Sequence, residues 1–303
     1  SPIDATVPLR DHRDARLGPV GVWSADPERM TAAEAGRFAD EVESLGFRTL
    51  WIQESLGSKE VFAHAGILLA ATKTLIIASG IANIWARDPV AMANGAKTLT
   101  EAYPDRFLLG IGVSHKPSVA IRGGEYRKPL GHMQGYLDAM DKAPFVGPNR
   151  GDPPAPRVLA ALGPRMLRLA AERSLGAHPY FVPVEHTAAA RKTLGSEPLL
   201  AVEQAAVIGD DRERFLAAAK RHTKYYLALD NYSNNLRRLG WSDPDLADGG
   251  SERLVDALVA SGDAASVLSR VAAQHAAGAD HVCLQVLGGD TLPQLRAIAK
   301  GLA

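Results

Sequence analysis

The chain has 303 residues, 46% of them hydrophobic and 22% charged, which is enough apolar matter for a large core and too much for a disordered chain. Lys+Arg and Asp+Glu balance at 34 each, leaving no basic excess to attract nucleic acid and no acidic tail. No apolar run approaches the roughly 20 residues that span a bilayer, and the single cysteine, Cys283, excludes an intramolecular disulfide framework and suits a reducing cytoplasm.

Residues 1–16 are polar and lack the apolar core of a signal peptide. They read as a leader ahead of a single domain over 17–303. From Leu17 onward, short apolar runs alternate with amphipathic stretches. Strands are predicted at 17–23, 47–53, 74–81, 106–112, 157–163, 176–182, 199–209 and 280–288. Several are nearly unbroken apolar runs, as expected of parallel strands covered by helices. Eight strands alternating with helices is the number of an α/β fold closed as a (β/α)8 barrel.

Helix punctuation supports this order. Thr31 and Glu34 form a capping-box pattern, with Phe38, Val42 and Leu45 at helical spacing behind it and Gly46 at the expected end. Asp88-Pro89 supplies an N-cap and an N1 proline for a helix to about Tyr103. Thr291 with Gln294 repeats the capping-box pattern for the last helix. Two connections are too long for plain loops. Residues 113–156 hold a glycine-rich loop, a helix near 130–142 and the irregular GPNRGDPPAP; residues 210–279 hold helices at 211–228, 251–260 and 264–277. The second also carries an Asn, Tyr and Arg cluster, placed to face substrate or a second subunit.

In a barrel the loops at the C-terminal ends of the strands build the active site. The first strand ends at Trp23, an indole for a substrate pocket or for simple packing. The second ends at Gln53, Glu54 and Ser55, where a carboxylate reads as catalytic or ligand-orienting. The third ends at Gly80-Ile81, followed by Ala82 and Asn83; the asparagine could bond a heteroaromatic edge, but taken alone it reads better as a loop cap. The fourth runs through Gly110 and Gly112, which lack a Cβ and let a backbone approach a bulky ligand. It is no dinucleotide fingerprint, for GIGVSH lacks the third glycine. His115 follows, and of the nine histidines it is the best candidate for proton transfer near neutral pH, with His178 and His281 reading as structural. The fifth strand passes through Gly163-Pro164 into a helix whose first N–H groups can hold a phosphate, with Arg165 adding charge. Tyr180 joins Trp23 and Ser55 as a candidate substrate contact. No HExxH, CxxC or GxSxG pattern supports a metal site or a serine hydrolase.

These segments stand in a telling order: FRTLWIQE, IASGIANIW, RFLLGIGVSH, ALGPRMLRLA and AGADHV. Together they resemble the bacterial luciferase-like superfamily, and within it the actinobacterial F420-dependent oxidoreductases. The resemblance implies an insertion-bearing TIM barrel binding coenzyme F420, with FMN as the alternative, in a cytoplasmic homodimer. It also implies a non-proline cis peptide at Gly80-Ile81. Gly80, Ile81, Ala82 and Asn83 would then flank the ring, Gly112, Val113, Ser114 and His115 would line the cofactor, and Gly163, Pro164, Arg165 and Met166 would take its phosphate. Lys116, Arg122, Arg127 and Lys128 would meet its oligoglutamate tail, or form an ordinary solvated loop. The chain departs from relatives that carry Asp-His where it has Glu54-Ser55, and from sugar-phosphate dehydrogenases that carry Glu where it has His115; a sugar phosphate is therefore not expected. The function implied is hydride transfer between F420 and an organic substrate, with His115, or in second place Glu54, handling the proton. The alternatives are an FMN-dependent monooxygenase using O2 and a non-catalytic F420 carrier.

Overall fold

The computed structural model describes residues 15–148 and 155–303; residues 1–14 of the leader and residues 149–154 of the irregular segment lie outside the described residues. The strands are β1 (Val20–Ser24), β2 (Thr49–Ile52), β3 (Ile76–Ser79), β4 (Ala82–Asn83), β5 (Phe107–Gly112), β6 (Arg157–Leu159), β7 (Gly176–Ala177), β8 (Leu199–Ile208), β9 (Val259–Gly262) and β10 (His281–Val286). Every named strand pairing is parallel. The order is β10-β1-β2-β3-β5-β6-β7-β8, and β8 pairs with β10 to close the ring. This is the predicted eight-stranded barrel, with helices outside it.

The period of two along each strand divides the core. Leu50, Ile77, Leu109, Val202 and Val282 point outward and pack with helical residues such as Phe38, Leu68 and Leu295. Trp51, Ala78, Leu108, Val158, Ala201 and Cys283 belong to a second cluster that fills the interior. There the Trp51 ring stacks on His178 at 4.3 Å and its N–H donates to His281 Nε2 at 3.0 Å. That bond makes Nε2 an acceptor, so Nδ1 carries the proton and donates to the Gly18 carbonyl at 2.6 Å. Burial pulls the His281 pKa down to about 4, so the ring is a neutral strut between the first and last strands.

Two of the predicted caps form. Thr31 and Glu34 exchange bonds as a capping box, and Asp88 accepts from the N–H groups of Val90 and Ala91. The third does not. Asp290 stands at the N-cap with φ 51°, the Thr291 hydroxyl donates to Asp26 at 2.5 Å, and Gln294 accepts from the Ile208 N–H at 3.0 Å. Those side chains join the last helix to the turn after β1 and to β8 instead.

Three further expectations need correction. The predicted strands at 157–163 and 176–182 stop at Leu159 and Ala177, and the chain beyond each leaves the ladder to line a cavity. β9 lies where the end of a helix was predicted, paired with the C-terminal half of β8. The helix Lys116–Ile121 replaces part of the predicted glycine-rich loop, while the next helix, Pro129–Asp141, falls where expected.

Candidate active site at the barrel mouth

Two adjoining lobes open at the C-terminal ends of the strands and share Ile81, Ser114, His115, Ala160, His178, Tyr180 and Tyr232. The first, about 330 Å³, runs between Gly112, Val113, Gly163 and Met166 on the barrel side and Tyr126, Asn231 and Arg238 on the side of the two long connections. The second, about 340 Å³, is lined by Trp23, Glu28, Gln53, Gly80, Asn83 and Tyr226. Each lobe has the size of a small-molecule site.

The Gly80–Ile81 peptide is cis. The glycines around it make room for protein rather than directly for a ligand, which corrects the reading of the sequence. A Cβ on Gly110 would strike the Ser79 carbonyl oxygen, one on Gly112 the Ile81 side chain, and one on Gly80 the Trp23 indole nitrogen. Close approach of β3 to β5 is the result. Ser79 Oγ donates to the Gly110 carbonyl at 2.8 Å and accepts from its N–H at 2.9 Å. Gly80 and Gly112 still face the second and first lobes respectively.

Glu54 follows β2 and is held by hydrogen bonds on both carboxylate oxygens. Arg87 grips both its oxygens, at 2.9 and 2.5 Å, and the backbone N–H groups of Asn83 (3.0 Å) and Val61 (3.2 Å) occupy the rest. These bonds tie the end of β2 to the strand-three loop. Asn83 Oδ1 accepts from the Trp85 N–H at 2.8 Å, the loop cap anticipated as the plainer reading. Ala82 is fully buried in the outer core and lines neither lobe.

Ser114 follows β5 with φ 59°, a conformation a non-glycine residue adopts under constraint. Its carbonyl accepts from Asn231 Nδ2 at 3.2 Å, so the second connection reaches over the cavity to fix it. The His115 ring lies 5.2 Å from that of Tyr232, its Nδ1 is buried without a partner, and burial pulls its pKa down to about 4. The imidazole is neutral, with a proton to give at one nitrogen and a lone pair at the other. The Tyr180 hydroxyl is 2.8 Å from Gln285 Oε1 and 3.0 Å from the Tyr226 hydroxyl, in the shared wall of both lobes. Ser55 is exposed at the rim of the second lobe.

The helix Pro164–Arg173 begins at Gly163 with no side chain capping it. Gly163 and Met166 face the first lobe, whereas Pro164 and Arg165 are exposed and do not. The cation at this helix start is instead Arg238, whose guanidinium lies 3.4 Å from where a Gly163 Cβ would stand. Its hydrogen bond goes to Asn235 Oδ1 at 3.1 Å, and no carboxylate pairs with it among the described residues. Sequence reasoning missed this role. The only signal was the Asn, Tyr and Arg cluster, and nothing in spacing shows that Arg238 folds back 75 positions onto Gly163. Of the basic loop residues, Arg122 lines the second lobe, Arg127 pairs with Glu125, and Lys116 and Lys128 are exposed outside both lobes.

Residues 15–281 match the model of the luciferase-like monooxygenase family. The chain belongs to this family. This luciferase-like protein is 27% identical over 185 residues to the 5,10-methylenetetrahydromethanopterin reductase of Methanolobus tindarius, covering 53% of this chain and 56% of that one. It spans about half the length of the reductases of this name that it matches. A Mycobacterium tuberculosis protein, whose name assigns it to the coenzyme F420-dependent oxidoreductases, is 24% identical with coverage of 92% of this chain and 96% of that one. Among solved structures, an F420-dependent secondary alcohol dehydrogenase in complex with an F420–acetone adduct gives a TM-score of 0.74 at 16% identity, over 93% of this chain and 97% of that one. At that identity the likeness is one of fold. No helix among the described residues is long and apolar enough to cross a membrane.

Proposed function

We propose that this chain is an F420-dependent oxidoreductase acting on an organic substrate at the C-terminal mouth of its barrel. One observation carries this reading: the first lobe is a slot walled by Ile81, Gly112 and Val113 that ends at an uncapped helix start beside Arg238. A flat tricyclic ring with a phosphate on its side chain needs such an apolar slot with anion donors at one end. The residues fit the group. The F420 named for the mycobacterial relative and the alcohol dehydrogenase supports the same cofactor here.

When bound, F420 supplies a carbon that gives or takes a hydride and reacts poorly with oxygen. The protein's own part is binding, orientation and a proton. The first-turn N–H groups of Arg165 and Met166, Pro164 having none, and the Arg238 guanidinium would hold the phosphate. Tyr126 and Tyr232 close the slot against water, and His115, neutral and unpartnered at Nδ1, exchanges the proton that accompanies the hydride.

Equilibrium titration tests this reading, followed by F420 fluorescence and flavin fluorescence. F420 should bind at least tenfold more tightly than FMN, because the slot is read as a deazaflavin site. The reverse order would transfer the chain to the FMN-dependent monooxygenases. Tight F420 binding with no turnover over a broad panel of alcohols, ketones and enones would make it a carrier.

We also infer a homodimer. The helix Val61–Ala71 is apolar on nearly every face, as buried helices are, yet Ile67 is 39% exposed on it and Val90 38% exposed on the next helix. Light scattering should return twice the chain mass, and Ile67→Lys should return the chain mass.

A further inference from the structure

We propose that the second lobe binds the oxygen of a hydroxyl- or carbonyl-bearing substrate between the Trp23 indole N–H and the Glu28 carboxyl. This rests on the F420 reading for where the cofactor lies and goes beyond it in naming the substrate class.

Trp23 is 2% exposed, and its Nε1 has no hydrogen-bond partner. Glu28 has one oxygen held by Gln53 Nε2 at 2.5 Å, while the other is buried with no partner. Both side chains line the second lobe. Buried polar atoms without partners are uncommon in folded proteins; this wall holds four, with His115 Nδ1 and His178 Nε2 beside Trp23 Nε1 and the Glu28 oxygen, and such a set calls for a ligand that satisfies them.

Their chemistry specifies that ligand. An indole N–H can only donate. A carboxylate accepts from a hydroxyl, and a carboxylic acid donates to a carbonyl; burial pushes the Glu28 carboxyl up, toward the acid form. One oxygen atom, as an alcohol or as the matching ketone, answers both groups. A substrate carboxylate at the same point would meet Glu28 with like charge. The remaining wall is aromatic: the Trp23 and Tyr180 rings lie 5.0 Å apart, with Tyr226 beside Tyr180 at 5.0 Å, which suits the apolar body carrying that oxygen. The indole nitrogen stands over Gly80, where any side chain would displace it. These groups come from the β1 end and the loop behind it. They are thus separate from His115 and Glu54, which the sequence put forward for the proton, and they pair Trp23, a substrate contact the sequence put forward, with Glu28, which it did not.

The test uses F420-saturated protein and three probes of one shape: cyclopentanol, cyclopentanone and cyclopentane. The readout is the indole ¹H–¹⁵N resonance of Trp23, assigned by its loss in Trp23→Phe. Both oxygenated probes should shift it downfield and saturably, and cyclopentane should not. Trp23→Phe, which keeps an aromatic ring but removes the N–H, and Glu28→Met, which nearly keeps volume but removes the carboxyl, should each weaken the oxygenated probes about tenfold while F420 affinity stays within twofold. The inference is overturned if the resonance ignores all three probes, if cyclopentane moves it equally, or if the variants bind the probes as wild type does. Loss of F420 binding in the wild-type protein would instead sink the cofactor reading, and the same titration on the cofactor-free protein would still decide the oxygen site.

Discussion

Glu54 and Arg87 meet in a two-pronged ion pair at 2.9 and 2.5 Å, with side chains only 4% and 11% exposed. The pair fastens the end of β2 to the loop that follows the cis peptide, because Glu54 also accepts the Asn83 N–H. Removing one partner leaves the other desolvated and uncompensated. Glu54→Gln should therefore lower unfolding free energy by about 3 kcal/mol, less whatever Glu60 recovers by pairing with Arg87 at 2.7 Å. Urea denaturation measures it. An unchanged midpoint would show that the pair contributes nothing.

His115 should matter to turnover and little to binding. His115→Ala is expected to cut kcat about 10²- to 10³-fold, the range of a lost general acid or base, with the F420 dissociation constant within threefold of wild type. Since burial pulls its pKa down to about 4, the acid limb of the pH profile should lie well below the usual histidine range. A limb near pH 6.5 would assign that proton to another group.

Stability should fall on acidification. Burial pulls the pKa values of His64, His115, His178, His222 and His281 down to about 4 each. Unfolding restores the ordinary value near 6.5, so between those limits the unfolded chain binds more protons. The stability these neutral rings allow is complete above about pH 6.5 and is lost as pH drops toward 4. Glu203 acts with the opposite sign. Burial raises its carboxyl to about 8, so its contribution is full below about 4.5 and disappears as pH rises through 8. Scanning calorimetry from pH 5 to 9 should show a melting temperature that peaks near neutrality. Glu203→Gln should flatten the alkaline side and steepen the acid side.

Adding one methyl group distinguishes the two kinds of glycine. Gly110→Ala would drive a Cβ into the Ser79 carbonyl, a backbone atom that cannot step aside, and should leave the protein insoluble or severely destabilised. Gly66→Ala, whose Cβ would meet Leu99 Cδ2 at 3.7 Å in ordinary contact, should fold normally and gain a few tenths of a kcal/mol or more from helix propensity, about 1 at most. Equal soluble yields would refute the close approach of β3 and β5.

The barrel was legible because its signals are local. Runs such as the one from Leu75 to Ala78, capping pairs such as Thr31 with Glu34, and the Asp88-Pro89 start each depend on neighbours in sequence. Strand ends were not legible at Leu159 and Ala177: the residues beyond them stay apolar but turn aside to form cavity wall. Val259–Gly262 was hidden because a strand that follows a helix without a loop breaks no pattern. Of the residues that glycine and helix-start chemistry singled out at the ends of strands three to five, Gly80, Ile81, Asn83, Gly112, Gly163 and Met166 line the two lobes, whereas Ala82, Pro164 and Arg165 do not. Arg238 and Glu28 were not, since their significance comes only from what folds opposite them. Arg165 was chosen in place of Arg238 because it stands beside the helix start in sequence, yet from there its side chain points to solvent.

Asn231 is the place where the two long connections touch above the first lobe, through the Ser114 carbonyl and the Tyr126 hydroxyl at 3.4 Å. Neither connection carries a barrel strand, so insertions or deletions in either leave the eightfold ladder intact. What such changes would move is the roof of the slot, and because the Asn231 amide and the His115–Tyr232 ring contact join both halves of that roof, lengthening either half displaces both. New ligand preferences could therefore evolve in this scaffold through loop length alone, at almost no cost to the stability of the strands beneath.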